Sequence, residues 1–455
     1  MKTKLCKTFA VLIASITLIG SSQISEAATK KKKHNNARAN TSLQQQINDL
    51  KQDQKVLERK VEVSQEAFEE KQKNSWTNKF EAGWKRGLYF QTSDGKYSTK
   101  FRIQLQPQYS YQANSQTLEG KDNQSTFRIR RAKISWEGNL FSKNLDYKLQ
   151  LEVANTNWQD VLEEAYVNYK FWDPFRIQFG EEKVQYNRQQ ITSTGRLEFP
   201  DPSLASDEFR FNTIDSTTLT TCSFAAGGSV TGAGLTCGGG ATATNSTKNT
   251  TRYFKYDTGA VFWGQAFNNK LEYYLGVMNG TGPNRLDLNN RPLITGRAVY
   301  NILGNYGYSE SDVEYSDHPS LFIGASGGNK KQEVTNASIT QFGGETGFKY
   351  KGASLQGEFY LRKTNPVAAK NTTDKGYYVQ AGYFVLPRHL ELAARASQVF
   401  LDGPNNNKGE YSGGINYYFL GHDLKILANY AYLPTQTAKG TAKDQRGTVQ
   451  VQAWF

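Results

Sequence analysis

The chain has 455 residues, a formal net charge of +13, 40 Gly, 26 Tyr and 25 Phe, with a mean hydropathy of −0.66. Beyond residues 1–27 no apolar run reaches the ~20 residues that a spanning helix needs, which excludes a helical membrane protein. Apolar residues are dispersed rather than clustered, which argues against a set of soluble domains and for alternating strands.

Lys2, Lys4 and Lys7 precede an apolar run from Phe9 to Gly20, and Ser25-Glu26-Ala27 follows it. This arrangement predicts a secretory signal peptide over 1–27. Cys6 precedes the run and does not read as a lipid-attachment cysteine. An exported chain rarely meets nucleic acid; the basic excess suits a pore that attracts anions, and surface loops are the other place for it. Residues 28–41 carry Lys30 to Lys33, lack large apolar side chains and are expected to be a disordered basic tail. Contact with the cell wall or lipid head groups is one reading of that tail; a plain solvated segment is the other.

Residues 42–83 read as a helix and linker. Leu43, Ile47, Leu50, Gln54, Leu57 and Val61 step by four and three, the spacing of a coiled-coil seam, with Gln54 as a polar register position. Such a helix is marginal alone and gains from association. A periplasmic bundle, as a trimer, is the preferred reading; one amphipathic helix under a barrel mouth is the alternative.

From Gly87 the period changes to two. Phe101, Ile103, Leu105, Tyr109 and Tyr111 alternate with Lys100, Arg102, Gln104, Gln106, Gln108 and Ser110. Successive strand side chains face opposite ways, so one face is apolar and the other polar. The pattern recurs along 84–455, for example at Leu145–Val153, Leu355–Leu361 and Leu424–Tyr430. Short turns (Asp173-Pro174, Lys351-Gly352, Pro387-Arg388, Gly421-His422) alternate with long connections (112–125, 186–251, 280–291, 433–445). That rhythm and an even strand number belong to membrane barrels, and closure leaves no unpaired edge in lipid. The expected fold is all-β and transmembrane: a 16-stranded antiparallel outer-membrane β-barrel with an N-terminal α-helical, coiled-coil extension. One strand slips phase at Arg130-Arg131, where a β-bulge restores the facing pattern; it either places both arginines toward the lumen or the rim, or is a local twist with no role in transport.

Cys222 and Cys237 fall in a Gly/Ser/Thr-rich stretch. A disulfide across a loop is favoured over a metal site, because no His is near. No nucleophile elbow, zinc motif or phosphate loop occurs. His34, His318, His389 and His422 read as solvated, and neither an enzyme nor a cofactor is expected. Chemistry then lies in the pore. Lys100, Arg102, Arg128, Arg130, Arg131 and Lys148 fall on or beside the lumen phase, with Asp146, Glu152 and Glu137 opposing them. Arg grips oxyanions through a planar fork and Lys acts as a point charge. These residues either attract anions or pair across the wall to hold its shape. The mixed-charge stretch 180–211, with Lys183 and Arg188, is the candidate pore-narrowing loop or a folded surface cap.

Five stretches carry a family likeness: Phe127-Arg128-Ile129-Arg130-Arg131-Ala132, Glu164–Tyr169, Gly376–Tyr383, Gly414–Phe419 and Gly421–Lys425. In that order they resemble the phosphate-selective porin O and P family over Gly87 to Phe455. The resemblance implies a trimeric 16-stranded porin in outer-membrane lipid that takes up anions, phosphate among them. Arg128 and Arg130 sit in a motif that matches. The N-terminal helix is similar to an extension in a subset of relatives, and Phe455 resembles the terminal barrel-assembly signal of outer-membrane proteins. Passive diffusion of small anions is the expected function. The alternative is a structural barrel whose helix tethers the outer membrane to the cell wall.

Overall fold

The computed structural model describes residues 36–73, 80–114, 122–155, 160–224, 229–233, 237, 241–287 and 290–455. The expected signal peptide and Lys30–Lys33 lie outside the described residues. The chain forms two units, Met1–Asn78 and Lys79–Phe455.

In the first unit α1 spans Asn36–Lys73. It begins inside the segment expected to be disordered, because Ala37, Arg38 and Ala39 are strong helix formers. Gln54 donates to Glu58 at 3.0 Å, and Arg59 pairs with Glu62 at 3.1 Å, one turn apart on the surface. Ile47, Leu50, Leu57 and Val61 stay 42–67% exposed, so the heptad stripe is uncovered among the described residues. Leu43 is helical, and its side chain lies outside the described set.

The second unit opens with a hairpin of β1 (Phe80–Trp84) and β2 (Leu88–Thr92). The first wall strands are β3 (Ser98–Ala113), β4 (Gln124–Leu140), β5 (Ser142–Glu152), β6 (Leu162–Trp172) and β7 (Phe175–Lys183). A separate three-stranded sheet follows, built from β8 (Asn212–Phe224), β9 (Ser229–Ala233) and β10 (Ala241–Tyr253). The wall resumes with β11 (Tyr256–Ala266), β12 (Leu271–Met278), β13 (Leu293–Leu303), β14 (Ser320–Lys331), β15 (Ser338–Tyr350) and β16 (Ala353–Asn365). It ends with β17 (Thr372–Leu386), β18 (Leu390–Phe400), β19 (Lys408–Leu420), β20 (Leu424–Thr437) and β21 (Gly440–Trp454). Each pairs antiparallel with its neighbours, β7 pairs with β11, and β21 closes on β3. The result is a closed 16-stranded antiparallel barrel.

Alternation sorts the side chains as the period demands. In β3, Gln104, Gln106 and Gln108 are buried inside while Leu105 and Tyr111 face out. In β17, Asp374, Tyr378 and Gln380 point in while Val379, Tyr383 and Val385 point out. Aromatic residues ring the end where β3 begins and β21 ends, here called the terminal end: Phe141, Trp172, Phe267 and Phe419 are exposed there. Such a girdle suits a membrane–water boundary. Turns at this end use left-handed residues. Lys351 (φ 47°) and Gly352 (φ 79°) make a two-residue hairpin that needs positive φ twice.

The phase slip falls where the sequence puts it. Gln106 faces Arg131 and Pro107 faces Ile129, leaving Arg130 as the extra residue of a bulge. Two connections differ from expectation. The stretch 433–445 is extended strand joined by a turn at Ala438-Lys439, not a long loop. Its Thr, Lys and Gly residues hide the alternation. Conversely, 304–319 is a long insertion at the terminal end, where short turns were expected, and Glu310, Ser311 and Asp312 within it are buried. Cys222 and Cys237 are joined by a disulfide that crosses between β8 and the β9–β10 connection.

Candidate functional site

The segment between β7 and β8 folds into the barrel. Its polar backbone is satisfied by short elements and by the wall. Asn187 caps α2 (Arg188–Ile191), Ser193 caps a 3-10 turn (Thr194–Arg196), and Ser203 caps α3 (Leu204–Glu208). Wall carboxylates take further donors. Glu358 accepts from the backbone of Arg188 and Gln189 at 2.8 and 2.9 Å, and Glu410 accepts from Leu204 at 2.8 Å. In return, Lys425 and Asn416 donate to the Leu197 and Glu198 carbonyls, each at 2.8 Å. Leu197, Phe199, Phe209 and Phe211 are buried, and Phe209 stacks on Tyr360 with centroids 5.4 Å apart. The loop therefore docks on the β15–β20 side through both polar and apolar contacts.

The bulge between β3 and β4 fixes the loop from the other side. Arg130 and Arg131 both reach Asp201, at 2.8 and 2.9 Å, and Arg131 also donates to the Pro200 carbonyl at 3.1 Å. Burial disfavours charge on Asp201, yet Arg131 and Arg130 outweigh it and hold the carboxyl well below the usual carboxylate range.

Cavities lined by described residues remain inside, and three bear on a path through the barrel. One of about 280 Å³ opens toward the loop end, one of about 260 Å³ lies against β5–β7 and β11–β12, and one of about 350 Å³ lies at the terminal end. Six cations line the first: Arg130, Arg131, Lys133, Arg210, Arg252 and Lys255. Four carboxylates face them, from Glu152, Asp160, Glu163 and Asp207. Lys133 pairs with Glu163 at 2.6 Å, Arg252 pairs with Asp160, and Arg210 sits 3.8 Å from Asp207. Lys255, between β10 and β11, lies over the Tyr256 ring at 5.5 Å and enters no ion pair among the described residues.

The anticipated pathway residues divide. Lys100 faces Glu137 in the register of β3 and β4. Arg102 pairs with Glu137 at 2.8 Å, lies over the Trp454 ring and lines the terminal-end cavity. Arg128 is held by the Gln108 amide oxygen at 2.7 and 2.9 Å. Lys148 pairs with Glu164, and Lys183 donates to the Ile191 carbonyl at 2.8 Å; both line the middle cavity. Arg188 departs from the expectation. It is 2% exposed, bonded to the Gly307 carbonyl, 3.5 Å from Glu345 and 4.0 Å from the Phe322 ring. Folding of the loop removes it from accessible space and makes it a clasp to segment 304–319. His422 is also not simply solvated: it contacts Ser309 at 2.8 Å and Lys425 at 3.2 Å. Phe455 closes the seam, exchanging backbone hydrogen bonds with Ile103 at 2.6 and 2.9 Å.

Sequence reasoning placed Arg210 in the candidate pore-narrowing loop, and it lines the loop-end cavity, but missed Lys133, Arg252 and Lys255. The shifted phase after Arg131 already placed Lys133 inward, between Ala132 and Ile134. Arg252 and Lys255 arrive at the end of a long hairpin, and no local pattern marks them.

A sequence profile described as phosphate-selective porin O and P matches residues 101–453. An uncharacterized protein of Aquifex aeolicus (strain VF5) is 23% identical over 393 residues, covering 78% of this chain and 87% of that one. Among solved structures, an anion-selective porin from Comamonas acidovorans aligns with TM-score 0.52 and 10% identity over 78% of this chain and 99% of that one. The outer membrane channel DcaP of Acinetobacter baumannii aligns with TM-score 0.50 and 12% identity over 80% and 99%. At such identity these two structures speak to the fold.

Proposed function

We propose, for a chain that belongs to the phosphate-selective porin O and P family and forms an outer-membrane channel, a passive path for small anions, phosphate among them. The observation that carries this reading is the loop-end cavity, where six cations meet four carboxylates. Arg130 and Arg131 present guanidinium forks whose positions Asp201 fixes, and fixed donors can replace part of an anion's hydration without reorganising. Ions then pass along cavities that the docked loop lines in part, past Lys148 and Lys183 to Arg102. Movement follows the gradient and needs no cofactor or chemical step.

In this reading the terminal end faces the periplasm, and α1, whose apolar stripe is uncovered, associates with two further copies in a homotrimer. The same exposed helix supports the second reading, a tether to the cell wall. Planar-bilayer recording tests the first: the reversal potential in a KCl gradient lies toward the chloride value, and added phosphate lowers chloride current. A cation-selective or electrically silent barrel refutes it.

A further inference from the structure

Three glutamates from three different parts of the chain converge behind the docked loop. Glu198 comes from the loop, Glu310 from segment 304–319 and Glu391 from β18; all are buried. None of them forms an ion pair among the described residues. Glu310 accepts from the Glu198 backbone N–H at 2.8 Å and from Gln189 at 2.8 Å.

The hydrogen bonds assign the proton. Glu391 Oε2 accepts from the hydroxyl of Tyr418 at 2.7 Å, from Asn416 at 2.9 Å and from Ser311 at 3.1 Å, the pattern of an ionised carboxylate. Its other oxygen, Oε1, is buried and receives no donor from any of these groups. That oxygen faces Glu198. A side chain at Gly382 would run into both Glu198 Oε1 and Glu391 Oε1, so the two carboxyls share one small space that only glycine leaves open. Glu198 Oε1 accepts from Ser354 at 3.1 Å. An orphaned buried oxygen is costly, and a proton on Glu198, donated to Glu391 Oε1, removes the cost.

We propose that the proton shared by Glu198 and Glu391 latches the pore loop to the barrel wall, and that its loss at rising pH releases the loop. The other charged and titratable groups around the pair are Glu310 and Asp312 of segment 304–319, with its Tyr306, Lys349 of β15, Tyr418 of β19, His422 of the β19–β20 turn and Lys425 of β20. Lys425 spends its ammonium on the Leu197 carbonyl and His422, and Lys349 on the Tyr306 and Ser309 carbonyls. Neither forms an ion pair with Glu198 among the described residues, and their longer-range attraction does not offset its burial. Burial raises Glu198 well above the usual carboxylate range, and Glu391 and Glu310 push the same way. A released, solvated Glu198 ionises at its ordinary value. The ratio of released to docked loop therefore grows up to about tenfold per pH unit between the ordinary and the raised value.

The test uses the full chain in planar bilayers and in folded detergent solution. In wild type the occupancy of the wider conductance state rises as pH goes from about 5 to about 9. In Glu198→Gln, whose amide still donates to Glu391 and accepts from Ser354, that rise is absent. Infrared difference spectra of the folded protein provide a readout that does not depend on conduction: a protonated-carboxyl C=O band present in wild type at neutral pH is missing in Glu198→Gln. The bilayer arm rests on the channel reading, the infrared arm does not, and anion selectivity is scored separately by reversal potential. Equal pH responses in the two proteins, or no protonated-carboxyl band to lose, overturns the latch.

Discussion

Replacing Arg130 by alanine removes one cation from the loop-end cavity while Arg131 still holds Asp201. An anion centred in that cavity of about 280 Å³ lies roughly 5 Å from a lining charge, which gives about 0.8 kcal/mol of attraction at a dielectric of 80 and about 3 kcal/mol at 20. Mobile ions at ~0.15 M screen over about 8 Å, which keeps the effect near the lower bound, about 1 kcal/mol. That corresponds to a roughly fivefold loss in anion over cation permeability. The neighbouring Asp201 reinforces the change, since one of its two partners is gone. Bilayer reversal potentials in a KCl gradient measure the ratio, with heat-modifiable gel mobility confirming a folded barrel. A folded Arg130→Ala barrel whose reversal potential equals that of wild type removes this cavity from the ion path.

Burial lowers the Lys255 ammonium well below the ordinary lysine range, and Lys183 and Lys133 press the same way. Its charge is thus complete only below that lowered value and is lost as pH rises through it, so anion preference should decline with rising pH in wild type. Lys255→Met should abolish that slope, and an identical slope in both proteins refutes the assignment. Deleting residues 28–83 should leave a folded, conducting barrel while reducing the trimer fraction in crosslinking. Retained conductance with an attached envelope argues against the tether; retained conductance with a detached envelope supports it.

Most of the barrel is legible because its signal is local. Gln104, Gln106 and Gln108 against Leu105 and Tyr111 state a period of two within eight residues, and lipid on one side and water on the other enforce it. The bulge was equally readable, since an extra residue must shift every later side chain, and Ala132, Ile134 and Trp136 record the shift. What was hidden depends on distant partners. Arg188 looks like a free cation until the loop turns inward and Glu345 and the rings of Tyr306, Tyr308 and Phe322 enclose it. Glu198 and Glu391 are far apart in sequence, and nothing near either announces that they meet. Segment 304–319 carries Tyr, Ser and Asp as an exposed turn would, but Tyr306, Glu310, Ser311, Asp312 and Val313 within it are buried.

The seam carries a kinetic consequence. Gln106 donates to Gln452 across a sequence separation of 346 residues, and β3 cannot complete its pairing until β21 arrives. Loop closure on that scale must precede any reward from the contact, which makes such topologies slow to form. Until then the outer edges of β3 and β21 stay open, each a template for unwanted partners. Newly exported chains should therefore depend on holding factors for far longer than their individual hairpins take to form, and slowing the final strand should raise aggregation before it lowers the stability of barrels already closed.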